Sequence, residues 1–176
     1  MEEYSGSSIQ PTIASTKNQF IASGAFFQLA ARLARYTGNT TYFTWAEKTY
    51  DWVTAVGLID DNFYVYDGTD DTTNCTTINH GHWSYNAATF ISGTSVMANI
   101  TGGNSSSPWA KRTQGFFNGA KATFFSPYAN ATNVMFEFMC EEEDNCDTDQ
   151  FNFQGISQPM DGCCKSNATS FEGASL

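Results

Sequence analysis

Apolar residues recur every three to four positions in four stretches of the chain. This spacing places them on one side of an α-helix and is typical of amphipathic helices packed on a core. We therefore predict helices over about Asn18–Tyr36, Thr41–Val56, Ser84–Asn99 and Pro108–Phe125. Gly38 is suited to end the first helix, and Ser107 followed by Pro108 is suited to begin the fourth. The pattern indicates an all-α protein.

Each predicted helix carries its own apolar stripe. The stripe of the first helix comprises Phe26, Leu29, Ala30 and Leu33. The second helix is apolar on two faces and should contact neighbours on both, along Phe43, Ala46, Tyr50 and Val53 and along Trp45, Thr49, Trp52 and Val56. The stripe of the third comprises Ala87, Phe90, Ile91, Thr94 and Met97, and that of the fourth Trp109, Thr113, Phe116, Phe117, Ala120 and Phe124.

The two halves of this helical region repeat each other at an offset of 64 residues. The offset aligns Phe90 with Phe26 and Trp109-Ala110 with Trp45-Ala46, and each copy has a Thr-Gly at the end of its first helix. Two helix pairs of one design indicate stacked α-hairpins, either in a solenoid or in part of an (α/α) toroid. Two pairs are too few to close a ring, so a toroid would be present here only in part, and hairpins of this kind need neighbours to bury their faces.

The segments outside the helices show other patterns. Phe63–Tyr66 consists of strand-forming residues, and Asp67-Gly68 is expected to form the turn of a short β-hairpin. Val134–Phe138 is a candidate extended segment. Residues 1–150 are taken as the partial barrel domain, and residues 151–176, which lack a helical period, as a divergent and poorly ordered tail.

Composition narrows the possible partners. The net charge is -10, from 18 acidic and 8 basic residues, which disfavours binding to nucleic acids and to anionic membranes. A neutral polysaccharide remains compatible with such a surface. No apolar run is long enough to span a bilayer, and any membrane attachment would need an anchor that this chain does not show. We expect no cofactor. His80 and His82 lack a clear third ligand and are interpreted as loop residues rather than a metal site.

The sequence favours an oxidising, glycosylating compartment. N-glycosylation sequons occur at Asn39, Asn74, Asn99, Asn104, Asn130 and Asn167, about twice the number expected by chance. Among five cysteines, Cys140 and Cys146 bracket an acidic loop and are the first candidates for a disulfide. The residues after Met1 do not form a signal peptide, so we expect that an N-terminal part is missing.

Five stretches, in order, resemble fungal glycoside hydrolase family 76, the endo-α-1,6-mannanases. They are Gly24–Asn39, Trp45-Ala46-Glu47-Lys48 with Trp52, Val56–Asp61, Trp83–Ala87, and Cys140-Glu141 with Cys146-x-Thr148-Asp149-Gln150. The resemblance covers about residues 15 to 150. It implies an (α/α)6 barrel and retaining hydrolysis or transglycosylation of α-1,6-mannosidic bonds in cell-wall mannan or glycolipid-anchor glycan, at the cell surface or outside the cell.

Such chemistry needs two carboxyl groups roughly 5 Å apart, one nucleophilic and one acidic. The resemblance implies that this pair is an Asp-Asp doublet in an aromatic-rich segment of the N-terminal half, which is absent here. We therefore assign no catalytic residue in this chain. Asp60-Asp61 is a tempting substitute, but a polar turn explains it better, with a rim contact to sugar as the alternative. Asp70-Asp71 is interpreted as a solvated loop.

The best candidate for substrate binding is Trp83-Ser84-Tyr85-Asn86 at the start of the third helix. Flat aromatic faces and planar amides are the groups that bind sugars, and Trp83, Tyr85 and Asn86 offer both. The alternative is that both aromatic residues belong to the core and that Asn86 caps the helix.

Three functions remain open at this stage. The first is a mannan endo-1,6-α-mannosidase-type hydrolase to which this chain contributes part of the barrel. The second is an inactive fragment or a non-catalytic glycan-binding module, and the third is a helical scaffold that binds proteins.

Overall fold

A computed structural model describes residues 20–69, 75–125, 130, 133–144 and 146, with side chains described from residue 23. Its long helices are α1 (Phe20–Thr37), α2 (Thr40–Val56), α3 (Ser84–Ile100) and α4 (Pro108–Phe124). Two short strands, β1 (Gly68–Thr69) and β2 (Ile78–Asn79), precede α3, and a single-turn helix, α5 (Phe138–Glu141), follows α4. The prediction of an all-α fold with a short β-hairpin is confirmed. The predicted tail, residues 151–176, lies outside the described residues.

The ends of the helices are set by local capping. Asn39 begins α2, and its side-chain oxygen accepts a hydrogen bond from the N–H of Thr41 at 2.8 Å. Ser107 caps α4 in the same way, accepting from the N–H of Ala110 at 3.2 Å, with Pro108 following it. Gly38 and Gly57 follow α1 and α2 with φ of 69° and 87°, the left-handed conformation that glycine adopts without strain.

The strands pair antiparallel, with Gly68 opposite Asn79 and Thr69 opposite Ile78. The sequence placed the turn of this hairpin at Asp67-Gly68, which is wrong because Gly68 begins β1. A separate tight turn precedes β1, where an isolated bridge joins Ile59 to Val65. One Asp60 carboxylate oxygen accepts hydrogen bonds from the N–H groups of Asn62 and Tyr64, and this fixes the turn there.

The two helical hairpins stack with α1 parallel to α3. The order of the contacts shows the direction: Gly24 lies against Thr89, Phe27 against Phe90, and the Gln28 side-chain amide donates to the Ser92 hydroxyl at 2.6 Å. A Cβ on Gly24 would clash with the Thr89 side chain, so glycine permits this close approach. Because α1 and α3 are parallel, the N-termini of both lie at one end of the structure. The α1–α2 and α3–α4 loops lie at the other.

Aromatic rings fill the space between the hairpins. Phe27 of α1 stacks on Phe90 of α3 with ring centroids 5.3 Å apart, and its ring also lies beside Trp109 of α4. Tyr50 of α2 packs edge-on against Trp109, and the Arg112 guanidinium lies 4.3 Å from the centroid of each of those two rings. The predicted stripes of α2, α3 and α4 are buried or partly buried, except that Phe117 is exposed.

The predicted stripe of α1 is wrong at Phe26 and Leu29, whereas its Ala30 is buried. Phe26 and Leu29 are 48% and 56% exposed, and the buried side of the helix is formed by Phe27, Ala30, Ala31 and Ala34. The physical reason is packing against two neighbouring helices, since Phe27 stacks on Phe90 of α3 and lies beside Tyr50 of α2. The sequence of α1 is apolar on both sides, and only the neighbouring helix selects between them.

The exposed side of α1 corresponds to a packed side of α3. At the 64-residue offset Phe26 matches Phe90, and Phe90 is fully buried against the preceding hairpin. Phe26 contacts Trp45 of its own hairpin edge-on and is about half exposed. This asymmetry is the one expected for two sectors of a larger (α/α) barrel, since each sector buries its neighbour's face. Among the residues that the structure describes, no helix combines the length and hydropathy needed to cross a membrane.

Candidate functional site at the start of α3

The first turn of α3 is buried although it is polar. Ser84, Tyr85 and Asn86 are 2%, 8% and 1% exposed, and Trp83 just before them is partly buried. Trp83 occupies the N-cap position in extended conformation, but no side chain of α3 itself caps the helix. The N–H groups at a buried helix start need other partners, because an unpaired buried donor is costly.

A carboxylate 53 residues further along the chain caps the start of α3. The side chain of Glu137, 1% exposed, accepts hydrogen bonds from the N–H of Ser84 at 3.2 and 3.3 Å, one to each carboxylate oxygen. The Ser84 hydroxyl also donates to it. Burial raises the pKa of the Glu137 carboxyl, while the two hydrogen bonds from Ser84 oppose that rise. The positive end of the helix dipole further favours an anion at this position.

The Asn86 side chain has no hydrogen-bond partner among the described residues, at either its amide nitrogen or its oxygen. It lies near enough to Asp67 and Tyr85 to affect the pKa of both, but not in hydrogen-bond geometry with either. A buried amide left unpaired costs about 1–3 kcal/mol for each group, so the position calls for a ligand or a water molecule. The alternative that Asn86 caps α3 is therefore wrong.

Two ionisable groups flank this amide. Burial, together with the nearby Asp67 carboxylate, raises the pKa of Tyr85 to about 12, so its hydroxyl stays neutral at physiological pH. Burial also raises the pKa of Asp67, and the Asn86 amide opposes the rise. Asn79 holds the Asp67 carboxylate in place by donating to it at 2.9 Å from the end of β2. We call Asp67, Ser84, Tyr85, Asn86 and Glu137 the α3 start cluster.

The Asp60 carboxylate is hydrogen-bonded to residues of its own turn and does not belong to this cluster. In addition to the turn described above, its second carboxylate oxygen accepts a hydrogen bond from the Tyr66 hydroxyl at 3.2 Å. Asp61, the other half of the doublet, is exposed in the turn itself. These contacts account for Asp60 as a structural turn residue. Asp70-Asp71 lies outside the described residues.

The two histidines pack on tyrosine rings. His80 lies 4.4 Å from Tyr66, and His82 lies 5.2 Å from Tyr66 and 5.5 Å from Tyr64, as distances between ring centroids. Burial lowers the pKa of His82. Within the described ranges no group of three or more metal-ligating side chains comes together.

A disulfide joins Cys140 to Cys146 in the segment that carries Glu137. The sequons at Asn39, Asn99, Asn104 and Asn130 are exposed, while those at Asn74 and Asn167 lie outside the described residues. Asn39 is in the α1–α2 loop, Asn104 is in the α3–α4 loop and Asn99 is near the C-terminus of α3. These three therefore lie at the end opposite the α3 start cluster.

The fold and the polar helix start define a member of a glycoside hydrolase family. The model of Glycosyl hydrolase family 76 matches residues 11–160, and the chain belongs to this family.

Individual relatives agree with that assignment. The chain is 42% identical over 137 residues to a putative mannan endo-1,6-alpha-mannosidase of Schizosaccharomyces pombe, covering 77% of this chain and 30% of that protein. It is also 42% identical to the mannan endo-1,6-alpha-mannosidase DCW1 of Candida glabrata, covering 76% and 28%. Among solved structures it is similar to Dfg5 from Chaetomium thermophilum in complex with glucosamine, with a TM-score of 0.73 and 41% identity, covering 85% of this chain and 35% of that one. The chain thus spans about a third of these relatives' length.

Sequence reasoning missed two members of the α3 start cluster. Asp67 was assigned to a turn, and Glu137 to an extended segment. A lone glutamate between Phe136 and Phe138 was the available signal for Glu137, since a carboxylate flanked by apolar residues is often buried and paired. No local pattern could have revealed its partner, 53 residues away.

Proposed function

We propose that this chain forms one wall of the glycan-binding cleft of an endo-α-1,6-mannosidase-type hydrolase or transglycosidase. The observation that carries the proposal is the Asn86 amide, which is buried and has no partner among the described residues. Sugar hydroxyls both donate and accept hydrogen bonds, so an amide that offers one nitrogen and one oxygen matches two hydroxyls of a pyranose.

The neighbours of Asn86 fit a neutral ligand. The Tyr85 hydroxyl stays protonated at physiological pH, and Asp67 offers a fixed acceptor. Trp83, partly buried, provides an aromatic face of the kind on which sugar rings pack. Asp60 and Asp61 remain candidates only for a contact at the rim. The relatives' names, which specify mannan, supply the substrate class for the proposal.

We propose further that the catalytic acid and nucleophile are not among the described residues. Glu137 is buried and bonded to Ser84, and Asp60 is committed to its turn, so neither is placed to attack or protonate a sugar. By itself, the 176-residue chain would then act as a glycan-binding module. This proposal includes secretion to the cell surface or cell wall, supported by the exposed sequons and the disulfide.

Calorimetry with an α-1,6-linked mannotetraose tests the binding proposal on the full chain. We expect binding that Asn86→Ala weakens roughly tenfold or more, because the substitution removes two hydrogen-bonding groups. The matched control is Asn118→Ala, an exposed amide on α4, which should bind like the unaltered chain. No binding by the unaltered chain, or equal binding by both variants, contradicts the proposal.

A mannan hydrolysis assay on the same preparation tests the second part. The expected result is binding without turnover. Measurable release of reducing ends would show that the chain does contain a catalytic pair.

A further inference from the structure

We propose that Glu137 is a positioning residue for the glycan-binding site, acting as a long-range cap that holds the first turn of α3. The effect on glycan binding rests on the proposed function, whereas the capping itself rests on the geometry of Glu137 and Ser84. Nothing in the sequence of α3 provides a cap, and the start of the helix carries both Tyr85 and Asn86. A helix start without an acceptor frays, so the orientation of these side chains depends on the carboxylate that binds Ser84.

The backbone of Glu137 is held firmly on its N-terminal side. Phe136 donates its N–H to the carbonyl of Phe124, the last residue of α4, at 2.8 Å. Next to it, Met135 forms an isolated antiparallel bridge with Phe125. Through these contacts the end of α4 fixes where Glu137 begins.

The C-terminal side of Glu137 is held by α5. Its carbonyl accepts from the N–H groups of Cys140 and Glu141 at 3.0 and 2.9 Å, and its own N–H donates to the Glu141 carboxylate at 2.8 Å. The disulfide from Cys140 to Cys146 closes this turn. Glu137 is therefore presented by a segment that is braced on both sides, which is what a precise cap requires.

The energetics favour a positional role over a contribution to stability. A carboxylate at 1% exposure has lost its hydration, and among the described residues the N–H and the hydroxyl of Ser84, together with the helix dipole, compensate. Replacing Glu137 by an apolar residue removes this desolvation cost but leaves the two Ser84 donors without their acceptor, so the geometry that the carboxylate imposes is lost. The groups facing Glu137 that titrate are Glu141 on α5, whose charge raises the pKa of Glu137, and Tyr85 on α3, whose own pKa is raised by Glu137.

Hydrogen exchange followed by mass spectrometry tests the positioning directly, without sugar. In Glu137→Ala, amides of residues 84–87 should exchange roughly tenfold faster or more, because a hydrogen bond to a charged group is lost. Glu137→Gln keeps an acceptor at the same distance and should restore most of the protection. Glu142→Gln, an exposed change of equal charge in the same acidic run, should exchange like the unaltered chain.

Protection of α4 in the same samples separates local loosening from general unfolding. If α4 also loses protection in Glu137→Ala, Ser84→Ala takes its place, since that variant keeps the backbone N–H and removes one of the two donors. Unchanged exchange at residues 84–87 in whichever of the two variants stays folded overturns the proposal.

Calorimetry with α-1,6-linked mannotetraose then links the cap to the site. Glu137→Ala should weaken binding roughly tenfold, and Glu137→Gln should restore it. Failure of the unaltered chain to bind mannotetraose contradicts the proposed function and leaves the exchange result to decide the cap. Normal binding by a variant whose α3 start exchanges faster contradicts the link between the cap and the site.

Discussion

The side-chain amide of Gln28 donates a hydrogen bond to the hydroxyl of Ser92, its counterpart in the second repeat. The offset of 64 residues that aligns the two helical hairpins in sequence is also the distance along the chain between these two bonded residues. Equivalent positions can touch in this way because α1 and α3 run parallel and are stacked side by side. The repeat is therefore a physical interface as well as a sequence pattern.

The α1–α3 interface should be sensitive to a single added methyl group. Gly93 lies under the Phe27 ring, and a Cβ there would overlap the ring. In an open helix, Gly→Ala stabilises by roughly 0.5–1 kcal/mol, but here we expect Gly93→Ala to destabilise by about 1–3 kcal/mol through overpacking. Urea unfolding measures the difference. An increase in the free energy of unfolding would show that the interface is looser than described.

Substitutions at equivalent positions of the two repeats should change the free energy of unfolding by different amounts. Phe90→Ala removes a fully buried ring and should cost about 3–5 kcal/mol. Phe26→Ala, at the equivalent place on the exposed side of α1, should change the free energy of unfolding by only about 0.5 kcal/mol. Chemical denaturation of the two variants provides the comparison. Similar costs at both positions would mean that the exposed side of α1 is covered in solution.

Stability should depend on pH through Glu137. Burial raises the pKa of its carboxyl above the ordinary value of 4.5, so the folded chain takes up a proton at a higher pH than the unfolded chain does. The free energy of unfolding of the unaltered chain should therefore rise, relative to Glu137→Gln, as pH falls from neutral to about that ordinary value, and level off below it. Urea unfolding of both proteins across this range measures the difference between their free energies of unfolding. If the free energy of the unaltered chain instead falls relative to that of Glu137→Gln as the pH falls, the folded state prefers the carboxylate.

Glycans should occupy the end of the molecule away from the α3 start cluster. In a secretory host we expect modification at Asn39 and Asn104, both exposed in loops at that end, detected as mass loss on glycosidase treatment. Asn39→Asp removes the sequon and keeps an acceptor for the N–H of Thr41, whereas Asn39→Ala also removes the cap and should cost about 1 kcal/mol. Removing the glycans should leave mannotetraose binding unchanged. Weaker binding after their removal would place them near the site.

Sequence by itself determined the helices and their repeat. The periodicity located α2 and α4 to within a residue, and the predicted cap Ser107 begins α4 because it acts on a neighbour three positions away. The family resemblance, together with the polar aromatic stretch before and within the first turn of α3, also pointed to that turn as the candidate site.

Tertiary structure alone decided which faces are buried and which distant groups meet. α1 is apolar on two sides, and packing against α2 and α3 buries the side of Phe27 rather than that of Phe26 and Leu29. The α3 start cluster is likewise assembled from three segments, and Glu137 reaches Ser84 across 53 residues. Local patterns encode interactions with near neighbours, whereas burial and long-range hydrogen bonds depend on where the chain returns, which no short stretch of sequence records.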